Sequence, residues 1–469
     1  MPLPPISAKP EPAARPPSLW EQALALHRAG KKAEAAAIYT KVIEAGAKEA
    51  GSAWNNLAVL RREQGKFPAA LACARRAVEI SPDDPNALNN LGNILKDLAR
   101  HDDAIATFET ALKRAPDRPG LHHNHGIALR EAGRHAESLA AFDVSLKLKP
   151  DDAKVQWDRA LALLMLERFE EGWSAYESRW HIGEIKDAYP AEKRWRGEGF
   201  IGKTLLVHPE QGFGDSILAA RCLPLAKARG GRVVLGVKPP LKRLFAGFAG
   251  VDQLVTPGER VAYDLHIPVM SLFGIFGTTH DTVPPPPRLA LPPEATAKFR
   301  PLIERAGKRL KVGFVWSGST TFKGNARRAT TLERFLALAD VPGVALFSLQ
   351  KGPLEKELAQ AAAEPAVTDI GGKVEDFADT AAVIEMLDLV IQTDSATAHL
   401  AGALGKPIWN LLPTVPYWLY RRSGDATPWY PSMRLFRQPA AGDWDGVFDQ
   451  VRAELAKLAE QKNNSPQRR

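Results

Sequence analysis

Residues 387–412 read LDLVIQTDSATAHLAGALGKPIWNLL, and this stretch decides how the second half of the chain is interpreted. Residues 389–391 form a short apolar run between polar residues, which is typical of a fully buried strand. Residues 393–395 are all N-cap types, and the Ala- and Leu-rich run at 396–404 favours a helix. A glycine and a proline stop that helix, and an apolar strand resumes. The pattern predicts strand, tight turn, helix and strand.

A helix that begins at the carboxyl edge of a parallel strand presents free N–H groups and the positive end of its dipole. The start of this predicted helix is therefore a candidate anion site, of the kind that most often takes phosphate, and His399 could add a donor one turn in. The alternative is ordinary strand–helix packing with a side-chain cap and a buried histidine. The spacing of the residues leaves both interpretations open.

The composition is that of a soluble globular protein. A chain of 469 residues, 45% hydrophobic and 25% charged, is long enough for two or three domains. It has no apolar run of the roughly 18–20 residues that cross a membrane. Residues 1–17 are rich in proline without an apolar segment, so we expect a disordered leader, and residues 461–469 a frayed basic tail. Two cysteines without ligand spacing are expected to be buried hydrophobes, and all of this predicts a cytoplasmic protein.

The net charge of +8 and the pI of about 9.3 raise the question of nucleic acid. Lys and Arg never form a run of more than a few residues, and no nucleic-acid-binding motif is present. We therefore expect anionic small-molecule phosphates as partners, and no nucleic acid.

A 34-residue period runs through residues 52–179, and an earlier unit at 19–50 fits it with one added residue. Small residues recur at one position of the period: Ala58, Gly92, Gly126 and Ala160. The pattern resembles the tetratricopeptide repeat, in which each unit is a pair of antiparallel helices with small residues where they cross. The resemblance implies about five units over 18–179, stacked as a superhelix whose concave face holds another polypeptide. The alternative is that the array only supports its neighbouring domain.

A polar position precedes the small one by two residues and recurs with the same period as Asn56, Asn90, Asn124 and Asp158. A carboxamide both donates and accepts, so it can bind a peptide group whatever side chain that peptide carries. The arrangement resembles the asparagine ladder in the repeat domain of nuclear and cytoplasmic O-linked N-acetylglucosamine transferase. We predict a peptide-binding groove here; the alternative is that these amides bond within the array.

The second half of the chain alternates strands and helices, which predicts parallel α/β domains. Residues 180–201 lack periodicity and carry tryptophans, so we expect a packed connector. A four-proline run at 284–287 places the crossing between two doubly wound domains, at 202–300 and 301–460. Predicted strands lie at 204–209, 232–237, 251–255, 310–316, 344–349 and 367–370. Predicted helices lie at about 216–229 and at 239–249, 332–339, 354–363, 377–386 and 444–458.

A glycine turn, EQGFGDS at 210–216, follows the first predicted strand directly. Gly212 and Gly214 allow a tight turn in which the backbone approaches a ligand closely, and open α/β sheets bind ligands at this position. With Gln211 they form the predicted acceptor-side turn, and Asp215 is the candidate catalytic base. The alternative is that Asp215 only caps its helix.

The stretch DSATAHLA at 394–401 resembles the D-[ST]-x-x-x-H motif of the heptosyltransferase-like, family 9-like glycosyltransferases. The glycine turn is similar to that family's G-x-G-D element, whose carboxylate is the candidate base. The resemblance covers about 202–457 and implies the GT-B fold, two Rossmann-like domains facing a cleft, with a nucleotide-sugar donor in the second domain. It places Asp394, Ser395, Ala396 and His399 under the donor diphosphate, although many members carry Gly where this chain has Ala396.

The loop after the strand at 310–316 carries hydroxyls, glycines and three cations, which suit a diphosphate. In the family a lysine of this loop is thought to stabilise the donor phosphates, so Lys323 is the first choice here and Arg327 the second. The alternative is a solvated basic loop. Gln350 ends the next strand at the same sheet edge and joins the donor-binding set.

The segment 413–431 carries Trp418, Tyr420, Trp429 and Tyr430 beside two arginines. These residues either stack on a base or sugar or pack the two domains together. We expect no metal, because the eleven histidines show no ligand spacing and the D-x-D at 443–445 opens a helix as a cap. No cofactor is expected beyond the nucleotide sugar as co-substrate.

Together these features predict a metal-independent glycosyltransferase that moves a sugar from a nucleotide-diphosphate sugar to a hydroxyl of an acceptor, expected to be a protein held by the repeats. The alternatives are a repeat scaffold with a non-catalytic nucleotide-sugar-binding domain, or a transferase of cell-envelope glycan assembly. The presence of Asp215, Lys323 and the 394–399 motif in one chain favours an enzyme.

Overall fold

The computed structural model describes residues 17–182, 189–210, 212–321, 324–361 and 366–464. The chain divides into two compact units, Met1–Val155 and Gln156–Arg469, with the boundary inside the ninth helix.

The first unit is built of helices that pack in consecutive pairs, and each pair packs on the next. The helices are α1 (Leu19–Arg28), α2 (Lys32–Glu44), α3 (Ala50–Glu63), α4 (Phe67–Ile80), α5 (Pro85–Asp97), α6 (His101–Arg114), α7 (Pro119–Glu131) and α8 (His135–Leu148), and α9 (Ala153–Met165) begins here.

The recurring small residue is explained by the packing within each pair. A Cβ atom at Gly126 would lie 2.5 Å from the Phe142 ring, and one at Gly92 would lie 2.8 Å from the Phe108 ring. Both rings are fully buried, so they cannot move aside at low cost. Glycine is therefore required at these two positions, where the first helix of a pair meets the aromatic side chain of the second.

The second unit opens with the rest of α9, with α10 (Phe169–Tyr176) and with a 3-10 turn at Glu177–His181. The side chains of α10 belong to the same hydrophobic core as the α/β region. The Trp173 ring lies 5.4 Å from that of Phe273, and its indole N–H donates to the Thr278 carbonyl at 2.6 Å. The last repeat helix is thus part of the α/β core.

The first sheet is parallel, with the strand order β3-β2-β1-β4. Its strands are β1 (Thr204–His208), β2 (Arg232–Gly236), β3 (Gln253–Val255) and β4 (Leu265–Pro268). The helices that follow its strands are α11 (Phe213–Ala219), α12 (Leu223–Lys227) and α13 (Leu272–Ile275). The next helix, α14 (Pro293–Glu304), packs on the helix Phe377–Met386, which belongs to the second sheet.

For this region the predicted helix at 239–249 needs correction, and β4, α13 and α14 were missed. No α-helix forms at 239–249 among these described residues: only a 3-10 turn at Pro239–Leu241 does, since two prolines open the segment and Gly247 has a φ of 70°. The strand β4 was missed because His266 and Pro268 interrupt its apolar pattern. The helix α14 was missed because the preceding prolines were interpreted as a simple crossing.

The second sheet is also parallel, with the order β10-β9-β8-β5-β6-β7. Its strands are β5 (Leu310–Val315), β6 (Val344–Ser348), β7 (Val367–Asp369), β8 (Leu389–Thr393), β9 (Ile408–Leu412) and β10 (Met433–Arg437). Its helices are α15 (Asn325–Arg328), α16 (Leu332–Leu336), α17 (Glu355–Gln360), α18 (Phe377–Met386), α19 (Ala396–Ala403) and α20 (Trp444–Asn464). Of these elements, β10 and the short helix α15 were not predicted; residues 325–328 were expected in a loop.

The predicted fold class, a helical repeat array followed by an α/β region with two parallel sheets, is confirmed. The two faces of the second sheet pack into separate cores, because alternate residues of β5 such as Val312 and Val315 point to opposite sides. None of the helices in the described part of the chain has the length and apolar character needed to cross a membrane.

Candidate active site

Both sheets have a topological switch point, and the predicted site loops begin there. In the first sheet β1 lies between β2 and β4, and in the second β5 lies between β6 and β8. Crevices outside the carboxyl ends of such strands are where open α/β sheets bind ligands. The glycine turn follows β1, and the DSATAH segment follows β8.

The glycine turn places Asp215 in the first turn of α11. Gly212 is the N-cap, and its N–H donates to Asp215 Oδ2 at 3.1 Å, so the capping role considered from the sequence is present. Gln211 lies outside the described residues. A Cβ atom at Gly214 would lie 2.6 Å from His399 Cδ2, so this glycine is required where α11 packs on α19. The two motifs predicted from the sequence are therefore in contact.

The Asp215 carboxyl is electrostatically unusual. Its side chain keeps partial exposure, yet surrounding protein raises its pKa to about 6, with burial the largest cause and the charge of Glu210 the next. The N–H of Gly212 and the charges of Lys238 and Arg179 act in the opposite direction. If Asp215 served only as a helix cap, a raised pKa of its carboxyl would bring no advantage.

Glu210, the first residue of the glycine turn, is held by a buried arginine. Arg179 Nε and Nη2 donate to the two oxygens of Glu210, each at 2.9 Å, and the N–H of Met270 donates to Oε1 at 3.0 Å. The two side chains expose 4% and 10% of their surface. Glu210 is thus occupied as an ion-pair partner. Sequence reasoning missed Arg179, because nothing local connects it to a residue 31 positions later.

The start of α19 lacks the side-chain cap that the packing interpretation requires. Ser395 is the N-cap residue, but its hydroxyl donates to Gln392 Oε1 at 3.0 Å and makes no cap bond. Ala396 begins the helix at the surface that faces Gly214. The first N–H groups of α19 therefore keep their capacity to bind an anion.

Asp394 is held by two side chains that the sequence interpretation did not connect to it. Arg328 Nη1 donates to Oδ2 at 3.0 Å, and the Tyr420 hydroxyl donates to Oδ1 at 2.6 Å. Arg328 belongs to the basic loop after β5 and keeps 22% of its side chain exposed. Asp394 thereby places a cation beside the start of α19.

His399 is buried and neutral over most of the pH range. Its Nδ1 lies 3.1 Å from the Tyr430 hydroxyl oxygen. Burial, together with the charges of Arg221 and Arg328, lowers its pKa to about 4 although Asp394 acts against them. It can therefore supply a hydrogen bond to a ligand but not a positive charge.

The other predicted donor residues are distributed differently. Lys323 lies outside the described residues. Arg327 is exposed on α15, whereas its neighbour Arg328 makes the contact with Asp394. Gln350 is buried, and its amide bonds to Trp316 N–H, to both backbone groups of Ser317 and to the Lys351 carbonyl. Gln350 therefore braces the loop after β5 from within.

The aromatic residues of 413–431 have the packing role considered from the sequence. Trp418, Tyr420, Trp429 and Tyr430 are each at most 2% exposed. Arg221, which the sequence interpretation also missed, is buried beside them: Nη1 donates to the Trp429 carbonyl at 3.0 Å, and the guanidinium stacks on the Tyr430 ring at 4.8 Å.

The asparagines of the repeat array bond to one another along the stack. Asn90 donates to Asn55 and Asn124 to Asn89, both at 2.8 Å, while Asn56 donates to the Tyr39 hydroxyl. The sequence left open that these amides bond within the array. That alternative is correct for one of the two side-chain N–H groups of each asparagine. All are half-buried, as is the fourth predicted groove residue, Asp158 on α9.

Within the residues that the structure describes, no group of three or more His, Cys, Asp or Glu side chains is arranged to hold a metal ion. Both cysteines are buried and unpaired, as expected.

Comparison with known proteins identifies the repeats. Family models described as tetratricopeptide repeat match residues 49–117, 83–151 and 123–183. The repeat prediction is thereby confirmed.

A curated relative, Protein FlbA of Caulobacter vibrioides, is 31% identical over 321 residues. The match covers 62% of this chain, and the chain spans about half, 52%, of that protein's length.

Two solved structures each resemble one part of this chain. A glycosyl transferase of family 9 from Veillonella parvula is 14% identical with a TM-score of 0.43, covering 57% of this chain and 99% of its own. YrrB, described as a tetratricopeptide-repeat protein with an unusual peptide-binding site, is 17% identical with a TM-score of 0.31, covering 35% of this chain and 84% of its own. Likenesses at these scores carry no information about activity.

Proposed function

We propose that this chain is a glycosyltransferase that moves a sugar from a nucleotide-diphosphate sugar to a hydroxyl of an acceptor protein held by the repeat array. One observation carries the proposal: the Asp215 turn at the switch point of the first sheet packs against the uncapped start of α19 at the switch point of the second. The proposed general base and the proposed anion site are therefore close enough to act on one substrate pair.

Asp215 has the protonation behaviour that a general base needs. With a pKa of about 6, it is ionised at neutral pH yet basic enough to accept a proton from an attacking hydroxyl. General-base catalysis of this kind contributes about 10²–10⁴-fold. Glu210 is the less suitable carboxylate, because Arg179 and Met270 occupy its oxygens.

The donor diphosphate is assigned to the start of α19. The first N–H groups of the helix and the exposed edge of Arg328 supply positive charge where the leaving diphosphate develops negative charge. His399 acts as a neutral hydrogen-bond partner in the same turn. Lys323 keeps its proposed role in stabilising the phosphates.

The acceptor is assigned to the repeat array. Each ladder asparagine uses one N–H within the array, so the second N–H and the carbonyl oxygen of the amide are suited to a peptide backbone. Such bonds contribute only about 0.5–1.5 kcal/mol each, so several positions must act together.

The donor assignment is tested by thermal unfolding of the full chain with UDP, GDP and ADP, followed by turnover with the sugar forms of whichever nucleotide stabilises it. A ligand at 100 times its Kd adds about 2.7 kcal/mol. We expect one nucleotide to stabilise the wild type and Asp215→Asn equally, and only the wild type to turn over the corresponding nucleotide sugar. Turnover by Asp215→Asn at the wild-type rate would remove Asp215 from the mechanism.

The acceptor assignment is tested by replacing Asn56, Asn90 and Asn124 together with Ala, with Asn463→Ala on α20 as the control. We expect the triple variant to lose modification of an intact protein acceptor while keeping hydrolysis of the donor. Equal loss of both activities, or of neither, would refute a peptide-binding ladder.

A further inference from the structure

The last helical segment of the repeat region contributes a side chain to the support of the proposed active site. Arg179 lies in the 3-10 turn Glu177–His181 that follows α10. Its guanidinium stacks over the rings of Tyr176 and Trp180 at 4.4 and 4.6 Å. It also bonds to the Tyr176 carbonyl, to Glu177 and to the Ser271 hydroxyl. A guanidinium with this many partners is fixed in position.

Glu210 is fixed by Arg179 on one side and by the loop after β4 on the other. Arg179 donates two bonds in a fork, a geometry that lysine cannot reproduce. The N–H of Met270 donates to Oε1 of Glu210, and the Ser271 hydroxyl bonds to Arg179 and donates to Glu177. Glu210, the first residue of the glycine turn, is therefore held in place at the switch point between β1 and β4.

We propose that Arg179 is a positioning residue for Asp215: through Glu210 it fixes the start of the glycine turn and balances the charge beside the proposed base. The inference rests on the proposed function, because it is Asp215 that Arg179 is held to serve. It assigns a supporting role in that site to the segment that ends the repeats.

Several charged or ionisable groups surround Asp215, and they come from different elements. They are Glu210, Lys238, Arg179, Tyr176 and Tyr417. Glu210 disfavours ionisation of Asp215, whereas Arg179 and Lys238 favour it. Because both tyrosines are neutral at ordinary pH, the balance between Arg179 and Glu210 can be altered by single substitutions with opposite expected signs.

Arg179→Gln leaves the Glu210 charge uncompensated, so the pKa of Asp215 is expected to rise. Glu210→Gln removes the like charge and leaves Arg179 in place, so the pKa is expected to fall. We expect shifts of at least about 0.5 unit in each direction. The double variant Arg179→Gln/Glu210→Gln should lie between them. Arg179→Lys keeps the charge but not the fork, so it should lower turnover with little change of the pKa.

The measurement is a carbon-13 titration of the full chain labelled at aspartate carboxyls, with the Asp215 signal assigned by its loss in Asp215→Asn. Turnover of the nucleotide sugar found in the thermal screen is measured in parallel across pH. Arg434→Gln, which removes a guanidinium from an exposed pair with Glu454 on the second sheet, is the control and should shift neither quantity.

Opposite shifts for the two single variants, with partial recovery of turnover in the double variant, would support the inference. If Arg179→Gln and Glu210→Gln leave the titration of Asp215 unchanged while folding normally, the inference is overturned. If Arg179→Gln does not fold, Glu210→Gln and Arg179→Lys decide the question. A different result would refute the proposed function. If Asp215→Asn turns over the nucleotide sugar at the full wild-type rate, Asp215 is not the base, whatever pKa the titration gives.

Discussion

Replacing Asp215 by Asn is expected to stabilise the protein while abolishing transfer. The folded protein holds this carboxyl at a pKa of about 6 against an ordinary value of 3.8, chiefly through burial and the charge of Glu210. A difference of about two pKa units corresponds to about 3 kcal/mol between the two protonation states. Asn keeps an oxygen that can accept from the Gly212 N–H but carries no charge. We therefore expect a gain of about 1–3 kcal/mol at pH 8, the lower part of the range reflecting the partial exposure of the side chain.

The sign of the pH dependence follows from the raised pKa. The folded state destabilises the ionised carboxyl, so the cost of Asp215 is fully present above about pH 6 and shrinks as the pH falls towards 3.8. At pH 5 the advantage of Asp215→Asn should be about half of its value at pH 8. Transfer by the wild type should fall about tenfold between pH 7 and pH 5, as the base becomes protonated.

The assay is thermal unfolding of wild type and variant at pH 8 and pH 5, with a rise in Tm of about 2–6 °C expected at pH 8. Asp252→Asn is the control with the opposite sign. Burial opposes ionisation of Asp252, but bonds from Lys227 and from the Val233 N–H lower its pKa overall, so its loss should destabilise. An Asp215→Asn variant that is no more stable than wild type at pH 8, or equally stabilised at both pH values, would refute the reasoning.

Two further predictions concern the donor site and the repeats. Arg328→Gln should weaken binding of the stabilising nucleoside diphosphate about tenfold or more by calorimetry, because its guanidinium is held by Asp394 at the start of α19. Arg327→Gln should have little effect. A larger loss of affinity in Arg327→Gln than in Arg328→Gln would show that the phosphates do not bind beside Arg328. Phe142→Ala should destabilise the array by about 3–5 kcal/mol, because the fully buried ring fills the space above Gly126. Val144→Ala on the exposed side of α8 is the matched control, and an equal loss of Tm in both would contradict the packing argument.

The sequence determined the elements whose patterns are local. The period of 34 residues identified the helix pairs because each pair repeats the same crossing, which admits only a small residue such as Gly126. The strands β5, β6 and β8 were found because both of their faces are buried, which leaves continuous apolar runs. β4 was hidden because His266 and Pro268 break such a run, although tertiary pairing with β1 still makes it a strand.

For the candidate site, the sequence supplied the two motifs, and only the tertiary structure decided how they are supported. Asp215 and His399 belong to motifs readable in the chain, yet their contact depends on the packing of α11 on α19. The choice of Arg328 over Arg327 depends on which side of a single helical turn faces Asp394. The raised pKa of Asp215 depends on burial and on Glu210, whose partner Arg179 comes from the end of the repeats. The chemical type of each side chain can be read from the sequence, whereas burial and long-range pairing exist only once the chain is folded.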